Sequence, residues 1–121
     1  TIEGFDGDTG IGGVDHKIAG LTAQAGANPS VMWNEYLKRW IMVYAGWNKV
    51  LYMSSSADGL TWERPLAITS TAEETAGYPN LISEQGDAKG GQTIKLYYAR
   101  NQNAAGIRLF AYRTLTYNAA D

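Results

Sequence analysis

The chain has 121 residues, 45% of them hydrophobic and only 18% charged, with fourteen Gly and no Cys. That is the profile of one small, core-forming domain rather than a disordered tail. Ten Lys and Arg against twelve Asp and Glu leave a formal charge of -2 and no basic cluster, which argues against a phosphate-tracking nucleic-acid surface. No apolar run approaches the roughly 20 residues of a membrane-spanning helix, so no membrane partner is expected. Without Cys there is no disulfide framework, thiol nucleophile or Cys-ligated zinc, and the compartment is left open, with secreted or periplasmic settings in view. Thr1-Ile2-Glu3 carries neither Met nor a signal pattern, as expected of a processed or truncated start.

Residues 1 to 27 are Gly-rich and weakly patterned, a segment expected to donate a strand to a neighbouring unit. Pro29 to Asn34 reads as a short strand, with Glu35 to Lys38 as its turn. Arg39 to Gly46 is dense in aromatic and β-branched residues and too short and Gly-bounded to favour a helix, so it reads as a strand. Alternation puts Trp40, Met42 and Tyr44 on one face and Ile41, Val43 and Ala45 on the other. With both faces apolar, this strand belongs in a sheet covered on both sides. A Trp47-Asn48-Lys49 turn leads to a strand over Val50 to Ser56, then to Asp58-Gly59, a dipeptide suited to a tight hairpin. Trp62 to Ile68 reads as a fourth strand, at a sheet edge because of Pro65.

The same order recurs. Pro79 to Ser83 mirrors Pro29 to Trp33 at an offset of 50, Leu96 to Ala99 mirrors Met42 to Ala45 at 54, and Leu109-Phe110 follows Leu51-Tyr52 by 58. The growth falls in the turns, Glu84 to Gln92 and Asn101 to Gly106, as a structural repeat predicts. The fold class expected is therefore all-β, with about two four-stranded antiparallel blades of β-propeller type: residues 28–70, then residues 71–121, the second lacking its outer strand. Two blades cannot close a ring that takes ~4–8. The apolar faces left over predict self-association or membership of a longer protein. The alternative is a two-sheet β-sandwich.

Ser56-Ala57-Asp58-Gly59-Leu60-Thr61-Trp62 resembles the Asp-box hairpin of sialidases and related propellers, shortened by one residue between Asp and Gly. Its roles are structural: Asp58 accepts backbone N–H groups, Gly59 takes positive φ, and Trp62 packs between strands. Asn28 to Asn34, Arg39 to Val43 and that hairpin together resemble blades of five-bladed glycosidases such as arabinanases, β-xylosidases, invertases and levanases, over residues 28 to about 115. The resemblance implies a glycosidic-bond hydrolase with paired carboxylates at the reaction centre. This sequence departs from the pattern where it matters. Asn28 stands where those enzymes carry Asp, and Gly77 or Tyr78 where they carry the Glu acid, and neither an amide nor a glycine serves as general base or acid.

Hydrolysis of carbohydrate is thus expected of a complete ring to which this chain contributes substrate contacts. The alternative is a non-catalytic sugar-binding or structural stacking unit. Substitute carboxylates are Glu73, Glu74 and Asp15, each equally readable as a solvated loop residue. His16 is the only histidine, too few for a His-rich metal site, and Asp6-Gly7-Asp8 lacks the downstream Glu of a calcium loop, so no metal or cofactor is expected. If the inner strands begin at one rim, that rim gathers Asn28, Trp47, Asn48, Tyr78, Arg100, Asn101 and Asn103. Flat aromatics and amides there suit stacking on sugar faces and bonding to hydroxyls.

Overall fold

The structure is a computed structural model that describes residues 26–70, 75–86, 88–101 and 108–118. The protein is all-β, with no helix among the described residues and its strands forming a curled, half-barrel surface. The eight strands among the described residues are β1 (Gly26–Asn34), β2 (Arg39–Gly46), β3 (Leu51–Ser56), β4 (Leu66–Ala67), β5 (Thr75–Ser83), β6 (Lys89–Gly90), β7 (Thr93–Asn101) and β8 (Arg108–Thr116). They form a first sheet in the order β4-β3-β2-β1-β6 and a second in the order β5-β7-β8.

Both sheets are antiparallel meanders apart from β6. That two-residue strand lies within the segment read from sequence as a simple turn, and it pairs in parallel with β1 at Trp33 and Asn34. A loop of the second sheet therefore edges the first. Buried Asn34 locks this crossing: its side-chain amide donates to the Gly91 carbonyl at 2.8 Å and its side-chain oxygen accepts the Leu37 N–H at 2.9 Å. The fourth strand is also shorter than expected. Only Leu66 and Ala67 pair with β3 as a strand: the Glu63 N–H still donates to the Ser55 carbonyl at 2.9 Å, but Pro65 has no N–H to give, and the Trp62 side chain packs on the outer face against Met42 and Tyr44.

The pairing of the two sheets matches position by position. In the first, Ala27 faces Ala45 and Ser30 faces Val43, so that Asn28 and Pro29 together oppose Tyr44. In the second, Gly77 faces Ala99 and Asn80 faces Tyr97, so that Tyr78 and Pro79 oppose Tyr98. Each is a β-bulge, two residues against one, at the same place in the scheme, where a proline has no ladder bond to lose. The third strands follow suit, with Met53 opposite Val43 and Tyr112 opposite Tyr97. That pairing sets their offset at 59 instead of 58, making Phe110 the counterpart of Leu51.

One core lies between the sheets. Met32, Ile41, Val43, Ala45 and Leu51 of the first pack on Ala76, Leu81, Ile94, Leu96 and Tyr98 of the second. Period-two alternation puts these residues on one face of each sheet. The seam is also hydrogen-bonded: Leu81 N–H donates to the Ser30 hydroxyl, Arg113 to the Ile68 carbonyl, and the Tyr117 hydroxyl to the Met53 sulfur. Burial pushes the Tyr117 phenol up to about 12. The other face of β2 carries a second cluster of Met42, Tyr44 and Trp62, with Tyr52 against it. The strand is thus covered on both sides from Ile41 onward, while Trp40, 37% exposed, stays open at its end and packs edge-on to Trp33 at 5.3 Å.

Candidate functional site: a cleft between the paired bulges

At the end of the sheets where β2 turns into β3, residues of both sheets enclose a cavity of about 240 Å³. The first sheet contributes Ala27, Asn28, Gly46, Trp47 and Lys49. The second contributes Thr75, Ala76, Gly77, Tyr78 and Ala99. The Ala76 N–H donates to the Lys49 carbonyl at 2.9 Å, clipping the β2–β3 turn to the start of β5 beside the cavity. Of three other bonds that shape this turn, two are backbone pairs, Gly46 N–H to Val50 and Lys49 N–H to Gly46, and one joins Val50 N–H to the Asn48 side chain.

The backbone here is unusual. Four described non-glycine residues have positive φ, and three of them, Asn28 (56°), Lys49 (65°) and Tyr78 (54°), line this one cavity. Asn tolerates the left-handed region, but for Tyr and Lys it costs conformational energy. A following proline also pushes its predecessor toward extended backbone, which adds to the strain at Asn28 and Tyr78. Strain of this kind persists only where the surrounding structure imposes it, and it concentrates at functional sites. Here each bulge turns its residue toward the cleft, as bulges do when they re-aim a side chain.

Of the seven rim residues expected, three line this cavity: Asn28, Trp47 and Tyr78. Trp47 is 72% exposed and Tyr78 53% exposed, presenting two aromatic side chains to solvent beside the cavity. Asn48 is not among the lining residues, and its amide donates to the Tyr52 hydroxyl at 2.8 Å, holding the turn. Arg100 sits on β7 opposite Ala76, also outside the lining. Lys49 was not among the expected rim residues and is the one charged residue among the described lining residues. Its place in the turn was legible, but its left-handed backbone was not. Glu73, Glu74 and Asp15, with His16 and Asn103, lie outside the described residues. Among those described, no three His, Cys, Asp or Glu side chains gather as a metal site would need.

The Asp58-Gly59 hairpin sits at the opposite end of the first sheet, beyond the Trp40–Ser56 pair. The Asp58 carboxylate accepts the Leu60 and Thr61 N–H groups at 2.8 and 2.9 Å. The Ser56 hydroxyl accepts the Gly59 N–H at 2.8 Å and donates to the Thr61 carbonyl at 2.6 Å. Gly59 has φ of 79°, and Trp62 is buried against Met42 and Tyr44. The Thr61 N–H, then the Leu60 N–H and the Ser56 hydroxyl, hold the Asp58 carboxyl below its ordinary range. One carboxylate oxygen of Asp58 and the Ser56 hydroxyl thus hold the turn together, which is a structural use.

Chemically, the cleft's described lining residues offer aromatic surface, the Thr75 and Tyr78 hydroxyls, one side-chain amide, one ammonium and backbone groups. They offer no carboxylate. Such a set can stack on a ring and bond hydroxyls. Compared with protein-family models, curated proteins and solved structures, the chain matches none.

Proposed function

We propose that the chain is a carbohydrate-contacting part of a glycosidase-like β-propeller, its two sheets serving as adjacent blades and the cleft as a substrate subsite. Hydrolysis in that reading belongs to carboxylates elsewhere in the complete ring. One observation carries it: matched bulges in two repeated sheets hold Asn28 and Tyr78 in strained backbone on one cavity, beside exposed Trp47. A volume of about 240 Å³ falls below the ~300–1,000 Å³ of pockets for drug-sized ligands, a scale suited to a single sugar ring with the remaining units lying over Trp47 and Tyr78.

A second reading is a sugar-binding unit with no catalysis of its own, for which exposed Trp47 and Tyr78 beside the cavity supply the stacking surface. One set of experiments separates the two. Calorimetric titration with arabinan, xylan and fructan oligosaccharides is expected to give binding that weakens at least tenfold in Trp47→Ala and Tyr78→Ala and stays unchanged in Asp58→Ala. Failure of all these saccharides to bind, or binding indifferent to Trp47 and Tyr78, overturns the subsite. Turnover of aryl glycosides by the chain alone, abolished by Glu73→Gln or Glu74→Gln, would instead place the hydrolytic chemistry in this chain.

A further inference from the structure

The repeat gives each sheet a front and a back, and the two sheets meet front to back. The front of the first sheet, Met32, Ile41, Val43, Ala45 and Leu51, packs on the back of the second, Leu81, Ile94, Leu96 and Tyr98. By the shared pairing scheme, the front of the second sheet consists of the positions equivalent to that packed front: Ile82, Lys95, Tyr97, Ala99 and Phe110. Nothing among the described residues covers it. Phe110 is 92% exposed, Ile82 and Tyr112 are exposed as well, and Tyr97 stacks on Tyr112 at 5.5 Å. The back of the first sheet is likewise the equivalent of a packed surface, for Val31, Trp40, Met42 and Tyr44 correspond to Leu81, Ile94, Leu96 and Tyr98. Trp62 covers part of it, leaving an open groove of about 330 Å³ between Val31, Trp40, Met42 and the Asp58 hairpin.

We infer that this protein associates head to tail with a second copy, the front of the second sheet of one chain docking on the back of the first sheet of the next. The joint continues the one already made inside the chain, front on back. Its charges agree. Lys95 occupies the position of Ile41, whose partner Ser55 adjoins the Asp58 hairpin, so repetition of the internal joint brings the Lys95 ammonium level with the Asp58 carboxylate. Lys95 has the Tyr112 ring 5.5 Å away and no carboxylate partner among the described residues. At the other end Phe110, the counterpart of Leu51, comes level with the stacked Tyr44 and Tyr52 rings. The contact is heterologous, so it builds rings or open stacks instead of closed two-fold pairs. It rests on the blade reading and not on any sugar.

Sedimentation velocity of the full chain, without saccharide and over a concentration series, tests it. The parent is expected to show a mass above the 13.2 kDa of one chain that rises with concentration. Phe110→Asp and Val31→Asp, each at an exposed position, should weaken association at least tenfold. Mixing the two variants should restore a one-to-one complex, since one retains an intact back and the other an intact front. Trp40→Lys replaces Val31→Asp should circular dichroism show the latter unfolded. A parent that stays monomeric means that something other than a second copy covers these faces, and it overturns the proposal whatever the titrations with sugar show. Back-face variants that associate as well as the parent would indicate front-to-front pairing and overturn it too, as would a mixture that stays monomeric.

Discussion

The two sheets share a register, a bulge and a proline, yet they treat their outer faces differently. In the first, the chain continues past β3 through the Asp58 hairpin and returns Trp62 across the back, so Met42 and Tyr44 are as buried as the core proper. In the second, no described residue returns over the front, and Phe110 and Tyr112 stand in solvent. The difference lies in what is laid over each outer face: Trp62 over the back of the first sheet, and no described residue over the front of the second. A repeat fixes pairing and side-chain alternation, whereas burial depends on what is laid over each face.

The sharpest way to break this comparison is to remove the cover. Trp62→Ala should cost about 3–5 kcal/mol, the range for losing a large buried aromatic, read from urea or thermal unfolding. Trp62→Phe should cost much less, because the indole N–H is buried without an acceptor among the described residues and phenylalanine discards it. A small loss in the alanine variant would mean that Trp62 does not carry the burial of Met42 and Tyr44.

Equivalent positions offer a cleaner contrast. Leu51 is 0% exposed and its counterpart Phe110 is 92% exposed. Leu51→Ala should cost about 2–5 kcal/mol. Phe110→Ala, in dilute monomer, should stay within about 0.5 kcal/mol, as surface changes do. If both were costly in the monomer, the front of the second sheet would be covered within the chain, and the asymmetry between the sheets would disappear.

These contrasts mark the limit of what the sequence made legible. The strands over Arg39 to Gly46 and Leu51 to Ser56 were readable because apolar alternation and short length leave few other structures for such residues. The hairpin was readable because Asp-Gly states its backbone requirement. β6 was not, for Lys89-Gly90 has no strand signature and exists only because β1 offers an edge and Asn34 a tether. The fourth strand was read as too long because the single bond from Glu63 to Ser55 is not continued through Pro65, so regular pairing is left to Leu66 and Ala67. At the cleft, Asn28, Trp47 and Tyr78 followed from placing loops on a common rim. Asn48 and Arg100 do not line it, because loop membership does not say where a side chain turns. The strained backbone at Tyr78 had no local signal, since neither Tyr nor Lys prefers positive φ.

That strain supplies a smaller prediction with the opposite sign. If the cleft and not the fold requires Tyr78 in the left-handed region, Tyr78→Gly should leave stability unchanged or raise it by about 1 kcal/mol, the conformational cost removed. It should weaken saccharide binding at the same time. The two bulges make Asn28→Gly the control, with a gain of a few tenths at most because Asn already tolerates that backbone. A clear loss of stability in Tyr78→Gly would show that the phenol is part of the packing, and the bulge would then be a folding device.

The smallest effect belongs to the opposite end of the first sheet. The turn N–H groups hold the Asp58 carboxyl below its ordinary value of 3.8, and Lys38 and Lys89 do the same for Glu35. A depressed carboxyl contributes stability that is fully present above the unfolded-state value and is lost as pH falls through the lower folded value. Unfolding midpoints should therefore be flat near neutrality and fall as the solution is acidified below about pH 4. In Asp58→Asn that acid limb should become shallower, with the remaining slope including the Glu35 contribution. The cleft should not notice: saccharide affinity at neutral pH should match the parent, because hairpin and cleft occupy opposite ends of the same strands. An affinity that followed Asp58 would join the two ends and undo the separation between the residues that shape this fold and those that line its cleft.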